Sequence, residues 1–286
     1  MNASRIGAYL NAVASTALAR TPAGRGLTVF PDDIFLVGYF RSGCTWSRFL
    51  FGNLVHQNEP VTFTNLERRV PTIYRLPDRV LRGLPRLLQS HECFDPRYPR
   101  VIYIARDPRD VAVSFYFFNL KVGVIPEGYS MDEFVRRFVV AKVVGYADLV
   151  GCWQDHVLSW LRLRQGMPGF RFVRYEDLLA DPAKELAQLC PLLGIQATAE
   201  RIERAIQLSS AGHMQSLEKK QSQEWAATKG TRQDIPFVRE AKSGGWRNKL
   251  SPTAVLTIEQ AWGATMKELG YDLVMDSSPE PEFARG

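Results

Sequence analysis

Gly38 and Gly43 bracket a loop, GYFRSG, that follows the apolar run IFLV and leads into CTWSRFLFGNLV. An apolar strand that passes through a glycine-bounded turn into a helix start aims successive backbone N–H groups at an anion. The spacing is that of the phosphate-binding G-x-x-x-x-G-K-S/T loop, with Thr45 at the hydroxyl position. The lysine position holds Cys44, and a thiol delivers no cation to a phosphate. The positive charge lies inside the loop instead, on Arg41. Gly43 permits the tight turn, and the N–H groups of residues 42–46 are then expected to face an anion. The loop reads as a phosphate site that grips differently from an ATPase. The structural alternatives are a solvated Arg41 and a Trp46 packed in the core.

A second segment, PRVIYIARDPRDVAVSFYFF at 99–118, is a β-branched run that ends in Arg106, Asp107, Arg109 and Asp110, with Ser114 beyond. Arg106 and Ser114 are eight apart, which suits an arginine at a strand end and a hydroxyl in the following helix. Asp107 and Asp110 are placed to cap that helix or to orient Arg109. The plain alternative for this cluster is an i,i+3 salt-bridge ladder. Two phosphate-binding segments together imply a nucleotide gripped at both ends.

YFRSGCTW resembles the 5′-phosphosulfate loop of the sulfotransferases that use 3′-phosphoadenosine 5′-phosphosulfate (PAPS), commonly Y-P-K-S-G-T-T-W. RDPRDVAVSFYFF resembles their 3′-phosphate segment, FVRYEDLLADP at 172–182 their R-Y-E-D-L-x-x-D-P stretch, and FVREAKSGGWRNKLS at 237–251 their C-terminal R-K-G-x-x-G-D-W-K-N segment. The four similarities occur in family order. The resemblance implies an α/β fold, a P-loop-like parallel β-sheet flanked by helices in a single domain, and transfer of a sulfuryl group from PAPS to a hydroxyl or amine, with no metal. Carried over residue by residue, it implies Arg41 as the cation on the leaving phosphate. Ser42, Gly43, Cys44 and Thr45 would serve as 5′-phosphate donors, and Trp46 would stack on adenine. Arg106 and Ser114 would bind the 3′-phosphate, Arg239 would close on it, and Tyr175 would lie near the adenine.

The same resemblance places the general base at His91, in QSHECFDPRYPRVIYIAR, where the family has K-T-H. An imidazole suits that role because it accepts a proton near neutrality. Glu92 is an alternative base. His56, in a helix tail, and His156, in a helical run, read as structural or exposed. Three positions depart from the family pattern. Arg41 replaces a lysine and is a poor proton donor. Gln89 stands where a lysine precedes the histidine. Glu240 puts a negative charge in the C-terminal R-K-G, which either lowers cofactor affinity or leaves its role to Lys242.

The rest of the chain agrees with this reading without deciding it. It has 286 residues, 45% hydrophobic and 23% charged, with a formal net charge of +6. That is enough chain for a sizeable core, and the basic balance suits a polyanionic ligand. Its arginines form no long tract, which argues against nucleic acid. Cys44, Cys93, Cys152 and Cys190 have no C-x-x-C spacing, which argues against a zinc site and for a reduced, cytoplasmic compartment.

The elements expected to position these residues alternate in type. IFLVGYF, RVIYIAR and FRFVRYED read as parallel strands, and CTWSRFLFGNLV and DVAVSFYFFNLK as helices. Asp181–Pro182 and Ser251–Pro252 open helices that end near Gly194 and Leu269. Residues 58–90, with four prolines, read as loops and short helices. Residues 1–30 read as a helical extension that packs on the domain or touches a membrane surface, and 275–286 as a flexible tail.

Phe115, Tyr116, Phe117, Phe118, Tyr129, Met131, Phe134 and Tyr146 supply candidate walls for an acceptor, a small molecule, lipid or glycan, and equally candidate core. A P-loop kinase or NTPase is the alternative enzyme, disfavoured by Cys44. A nucleotide-binding protein with a degenerate transferase fold is the alternative without catalysis.

Overall fold

The computed structural model of the chain describes residues 27–74, 85–143, 150–239 and 241–274. Of the helical extension expected over 1–30, residues 1–26 lie outside the described residues, as do the tail, Tyr146 and Glu240, and residues 27–30 are not helical. Four strands, β1 (Ile34–Gly38), β2 (Leu87–Ser90), β3 (Arg100–Ala105) and β4 (Phe170–Arg174), form one sheet in the order β2-β1-β3-β4. All neighbouring strands are parallel.

Among the described residues the α-helices are α1 (Cys44–Val55), α2 (Leu66–Arg69), α3 (Pro108–Lys121), α4 (Met131–Val139), α5 (Trp153–Arg164), α6 (Tyr175–Ala180), α7 (Pro182–Leu193), α8 (Ala199–Leu208), α9 (Ala211–Gln221) and α10 (Pro252–Glu268). Every residue of β1 is buried, as a strand covered on both faces must be. Side chains alternate between those faces. Phe35, Val37, Val101 and Tyr103 pack with α3, α4, α5 and α10. Ile34, Leu36, Ile102, Ile104 and Val173 pack with α1, α6, α7 and α8. Each fully buried aliphatic or aromatic side chain contributes about 1.5–3 kcal/mol.

Register decides where chemistry can occur. Gly38 pairs with Ile104, Val37 with Ser90, and Ala105 with Arg174. The four strands therefore end along one edge of the sheet, and the residues that follow them are Tyr39, His91, Arg106 and Tyr175. Strand order reverses at β1, with β2 on one side and β3 on the other. The crevice beyond the carboxyl ends at such a reversal is where open parallel sheets bind ligands.

The helix starts follow the expected chemistry. The Asp107, Asp181 and Ser251 side chains accept from Arg109 N, Lys184 N and Ala254 N, and a proline follows each cap. Gly194, at φ 69°, closes α7.

Three expectations are corrected. β1 stops at Gly38 instead of Phe40 because the chain turns there, with Ser42 N donating to Tyr39 O at 3.1 Å. Tyr175-Glu176-Asp177 opens α6 instead of extending the strand, since β4 has no partner register beyond Arg174. Residues 87–90 form β2, held by β1 on one side and by the Thr72–Gln89 bridge on the other. Four residues without β-branching give little local signal, so neighbours make that strand.

Candidate active site

Two glycines shape the loop after β1. A Cβ on Gly38 would lie 2.8 Å from Ile104 O and 3.1 Å from Cys44 Sγ, so only glycine lets β1 and β3 approach this closely while α1 starts beside them. Gly43 caps α1 at φ 95°, and a Cβ there would meet the Tyr175 ring at 2.5 Å. The first intrahelical donor is Ser47 N, to Gly43 O. The N–H groups of Gly43, Cys44, Thr45 and Trp46 are thus free for an anion. The Ser42 N–H is spent on Tyr39 O, and the Ser42 hydroxyl is buried without a partner and away from the cavity. The donor series is therefore 43–46, one residue shorter than the sequence suggested. Burial pushes the Cys44 thiol up to about 12, so it carries no charge.

The loop opens on a cavity of about 630 Å³. Its walls include Arg41, Gly43, Cys44, Thr45, Trp46, His91, Arg106, Ser114, Tyr175 and Arg239. Every candidate site residue except Ser42 is on that wall. Arg41 has φ 65°. Its Nε donates to Ser114 Oγ at 3.2 Å, and its guanidinium lies 4.8 and 4.6 Å from the Phe118 and Phe237 ring centres. Arg106 lies 4.3 Å over the Tyr175 ring and donates to Arg41 O and Lys242 O. The Arg106 Nε is buried without a partner. Arg239 donates to Val113 O and stacks 4.3 Å over Phe117. Burial, then the charges of Arg239 and Arg106, pull Arg41 down to about 9. Three cations that oppose one another, with a buried N–H unused, fit a polyanion.

Arg109 takes no part in this. It is buried between Asp107 and Glu259, with bonds of 2.7 and 2.6 Å, and lies against Trp246. Asp110 accepts from Gly244 N and Trp246 N, which ties the C-terminal segment to α3. The RDPRD cluster thus divides into one cavity-facing cation and a structural network. Trp46 is half-buried, donates to Ser209 O at 3.0 Å, and meets the Tyr175 ring edge-on at 5.4 Å, leaving a face on the cavity.

His91 follows β2. Its Nδ1 lies 2.6 Å from Gly38 O. A carbonyl only accepts, so Nδ1 carries the proton and Nε2 keeps its lone pair. Nε2 has no protein partner among the described residues. Burial, followed by the charges of Arg48 and Arg41, holds the imidazole down to about 4, so the ring is neutral at physiological pH. The His91 backbone N–H donates to Tyr74 OH at 2.8 Å, and the imidazole packs against Phe40 at 4.3 Å between centres. Glu92, the alternative base, is buried and is not on the cavity wall.

Phe115 and Phe118 line the cavity, while Tyr116, Tyr129, Met131 and Phe134 pack in the core. The wall also includes Arg48, Met214 and Trp225, and Glu67, Thr72 and Tyr74 from the 58–90 segment expected as loops and short helices. Among the described residues, no group of acidic, cysteine and histidine side chains has the arrangement of a metal site, and no helix is long and apolar enough to cross a membrane.

The sulfotransferase domain family matches residues 31–270, most of the chain. The protein belongs to the sulfotransferase domain family. Among curated relatives, bovine sulfotransferase 1E1 (Bos taurus) is 28% identical over 239 residues, 76% of this chain and 78% of that protein. Human sulfotransferase 2B1 (Homo sapiens) is 27% identical over 266 residues, 88% of this chain and 70% of that protein. Among solved structures, retinol dehydratase in complex with androsterone and the inactive cofactor PAP shares the fold with a TM-score of 0.69 at 18% identity, covering 85% of this chain and 82% of that one. Mouse sulfotransferase SULT7A1 complexed with PAP gives 0.61 at 23% identity, covering 87% of each. The parallel sheet with its P-loop-like turn is thus a sulfotransferase fold, and the protein is a sulfuryl-transfer enzyme.

Proposed function

We propose that the cavity binds PAPS between the two glycine-bounded segments and passes its sulfuryl group to the hydroxyl of a small, largely apolar acceptor, with His91 as general base. The observation that carries this reading is the meeting of Arg41, Arg106 and Arg239 with a neutral imidazole on one cavity wall. The 5′-phosphosulfate would lie at the N–H groups of residues 43–46, with Thr45 as hydroxyl donor and Arg41 beside the bridging oxygen. The 3′-phosphate would take Arg106, Ser114 and Arg239. The adenine would stack on the cavity-facing side of Trp46, with Tyr175 beside it. The two solved relatives bound to PAP, the desulfated product, support the same ligand here.

In the reaction, the acceptor oxygen attacks sulfur as its proton passes to His91 Nε2. The bond from sulfur to the 5′-phosphate oxygen breaks, and PAP is left with the extra negative charge. Arg41 and the helix N-terminus stabilise that charge, a role that needs no proton from the guanidinium. His91 Nδ1–H stays on Gly38 O and fixes the ring. Phe40, Phe115, Phe118 and Trp225 favour an apolar acceptor body.

The test is transfer of labelled sulfate from PAPS to a panel of phenols, alcohols and amines. Transfer to at least one hydroxyl compound, abolished in His91→Ala while PAP still binds, is expected. PAP binding without transfer to any member would reject the catalytic reading, and stabilisation by ATP–Mg alone would favour the kinase alternative.

A further inference from the structure

His91 can act only if its backbone holds the ring where Nδ1 reaches Gly38 O. The segment that carries it, residues 91–94, has no sheet partner beyond Ser90. It is instead fastened to α5 by side chains one helical turn apart. His156 Nε2 lies 3.0 Å from His91 O. Trp160 Nε1 donates to Glu92 O at 3.0 Å, and Phe94 N donates to Ser159 Oγ at 3.1 Å. Cys93 Sγ donates to Val150 O just ahead of the helix.

The imidazole of His156 is the innermost of these ties. It is fully buried. The carbonyl of His91 can only accept, so His156 Nε2 bears the proton and Nδ1 accepts from Tyr103 OH, 2.8 Å away on β3. One neutral ring therefore joins the sheet, α5 and the His91 backbone.

We propose that His156 is a positioning residue for sulfuryl transfer: by donating Nε2–H to His91 O while accepting from Tyr103 OH, it sets the backbone that aims the His91 Nε2 lone pair into the cavity. This rests on His91 as the base. It goes further by assigning a role to a buried histidine that touches no substrate. Small displacements of a reacting group are costly, up to about 100-fold in rate for about 1 Å.

The experiment compares His156→Leu, His156→Gln and Tyr103→Phe in the full chain. Rates are measured with PAPS and 2-naphthol, PAP affinity by calorimetry, and the His91 tautomer by nitrogen-15 NMR of the imidazole, which needs no acceptor. His156→Leu is expected to lower kcat about 10- to 100-fold with PAP affinity within about twofold, and to blur the single Nδ1–H tautomer of His91. His156→Gln, whose amide N–H can reach the same carbonyl, is expected to recover most of kcat and the tautomer. Tyr103→Phe, which keeps the ring and removes its tether, should fall between them.

If His156→Leu fails to fold, the Gln and Phe variants carry the comparison. Unchanged kcat and tautomer in His156→Leu, or in Tyr103→Phe where the Leu variant fails to fold, would overturn the proposal. So would equal losses of rate and PAP affinity, or a Gln variant no better than Leu. An unaltered His91 tautomer together with no transfer by the parent protein would instead point to failure of the catalytic reading itself.

Discussion

The two ends of the cavity are built in opposite ways. The end proposed for the phosphates is made by short segments whose residues adjoin in sequence, since a glycine turn and the first turn of α1 already aim four N–H groups at one point. The imidazole end is assembled from Gly38, Tyr74, His91 and His156, which meet only through the sheet and α5. One end is a local backbone device charged by arginines, and the other is a tertiary device in which a neutral ring is held by carbonyls and a phenol. The contrast predicts that damage at the first end weakens cofactor binding, and damage at the second lowers turnover while binding survives.

The largest effect should follow from removing the proposed base. His91→Ala is expected to reduce kcat by about 10²–10⁴-fold, with PAP affinity by calorimetry within about twofold of the parent. A matching loss of PAP affinity would erase the distinction between the ends. Next comes Arg106→Ala. Losing charge-assisted bonds to a phosphate costs about 1.5–3 kcal/mol, so PAP should bind about 10- to 100-fold more weakly, while 5′-AMP, without a 3′-phosphate, should change much less.

Gly43→Ala attacks the backbone of the phosphate end. A methyl group at φ 95° and 2.5 Å from the Tyr175 ring should destabilise the fold by about 1–3 kcal/mol, read from urea unfolding, and weaken PAP together with it.

A smaller effect concerns pH. His91 and His156 sit at about 4 and about 3, against 6.5 when unperturbed. The unfolded chain therefore binds more protons than the folded one between those values. Their contribution to stability is full above pH 6.5 and is lost as pH falls through 4 and 3. The urea midpoint should drop over that window, and His156→Gln should flatten the drop. Arg41→Lys should matter least for binding, because the cation remains, although it gives up its contacts with Phe118 and Phe237 and its Nε bond to Ser114. A change in PAP affinity below about tenfold is expected.

The same contrast explains what could be read from the chain. Gly38, Gly43, Arg106, Asp107 and the Asp181–Pro182 and Ser251–Pro252 caps declare themselves because a turn or a cap is specified within a few residues. Cys44 was legible as a missing cation, and its burial agrees. β2 was not legible, since Leu87–Ser90 becomes a strand only between β1 and the Thr72 bridge. Arg109 was ambiguous because the local RDPRD pattern cannot reveal that Glu259, 150 residues away, completes its pairing. His156 reads as structural or exposed, and the structure buries it; its partners Tyr103 and His91, 53 and 65 residues away, are likewise beyond any local pattern. The one available signal was that His156, Ser159 and Trp160 share a face of α5, which says they point together but not at what.

The account stands most directly on cofactor recognition at the shared wall. Calorimetry with PAP, 5′-AMP and ATP–Mg on the parent chain and on Arg106→Ala and Arg239→Ala tests it in one series. The account predicts that PAP binds well above 5′-AMP, that either substitution removes most of that advantage, and that ATP–Mg binds weakly if at all. Equal affinity for PAP and 5′-AMP, or a PAP advantage untouched by both substitutions, would contradict it.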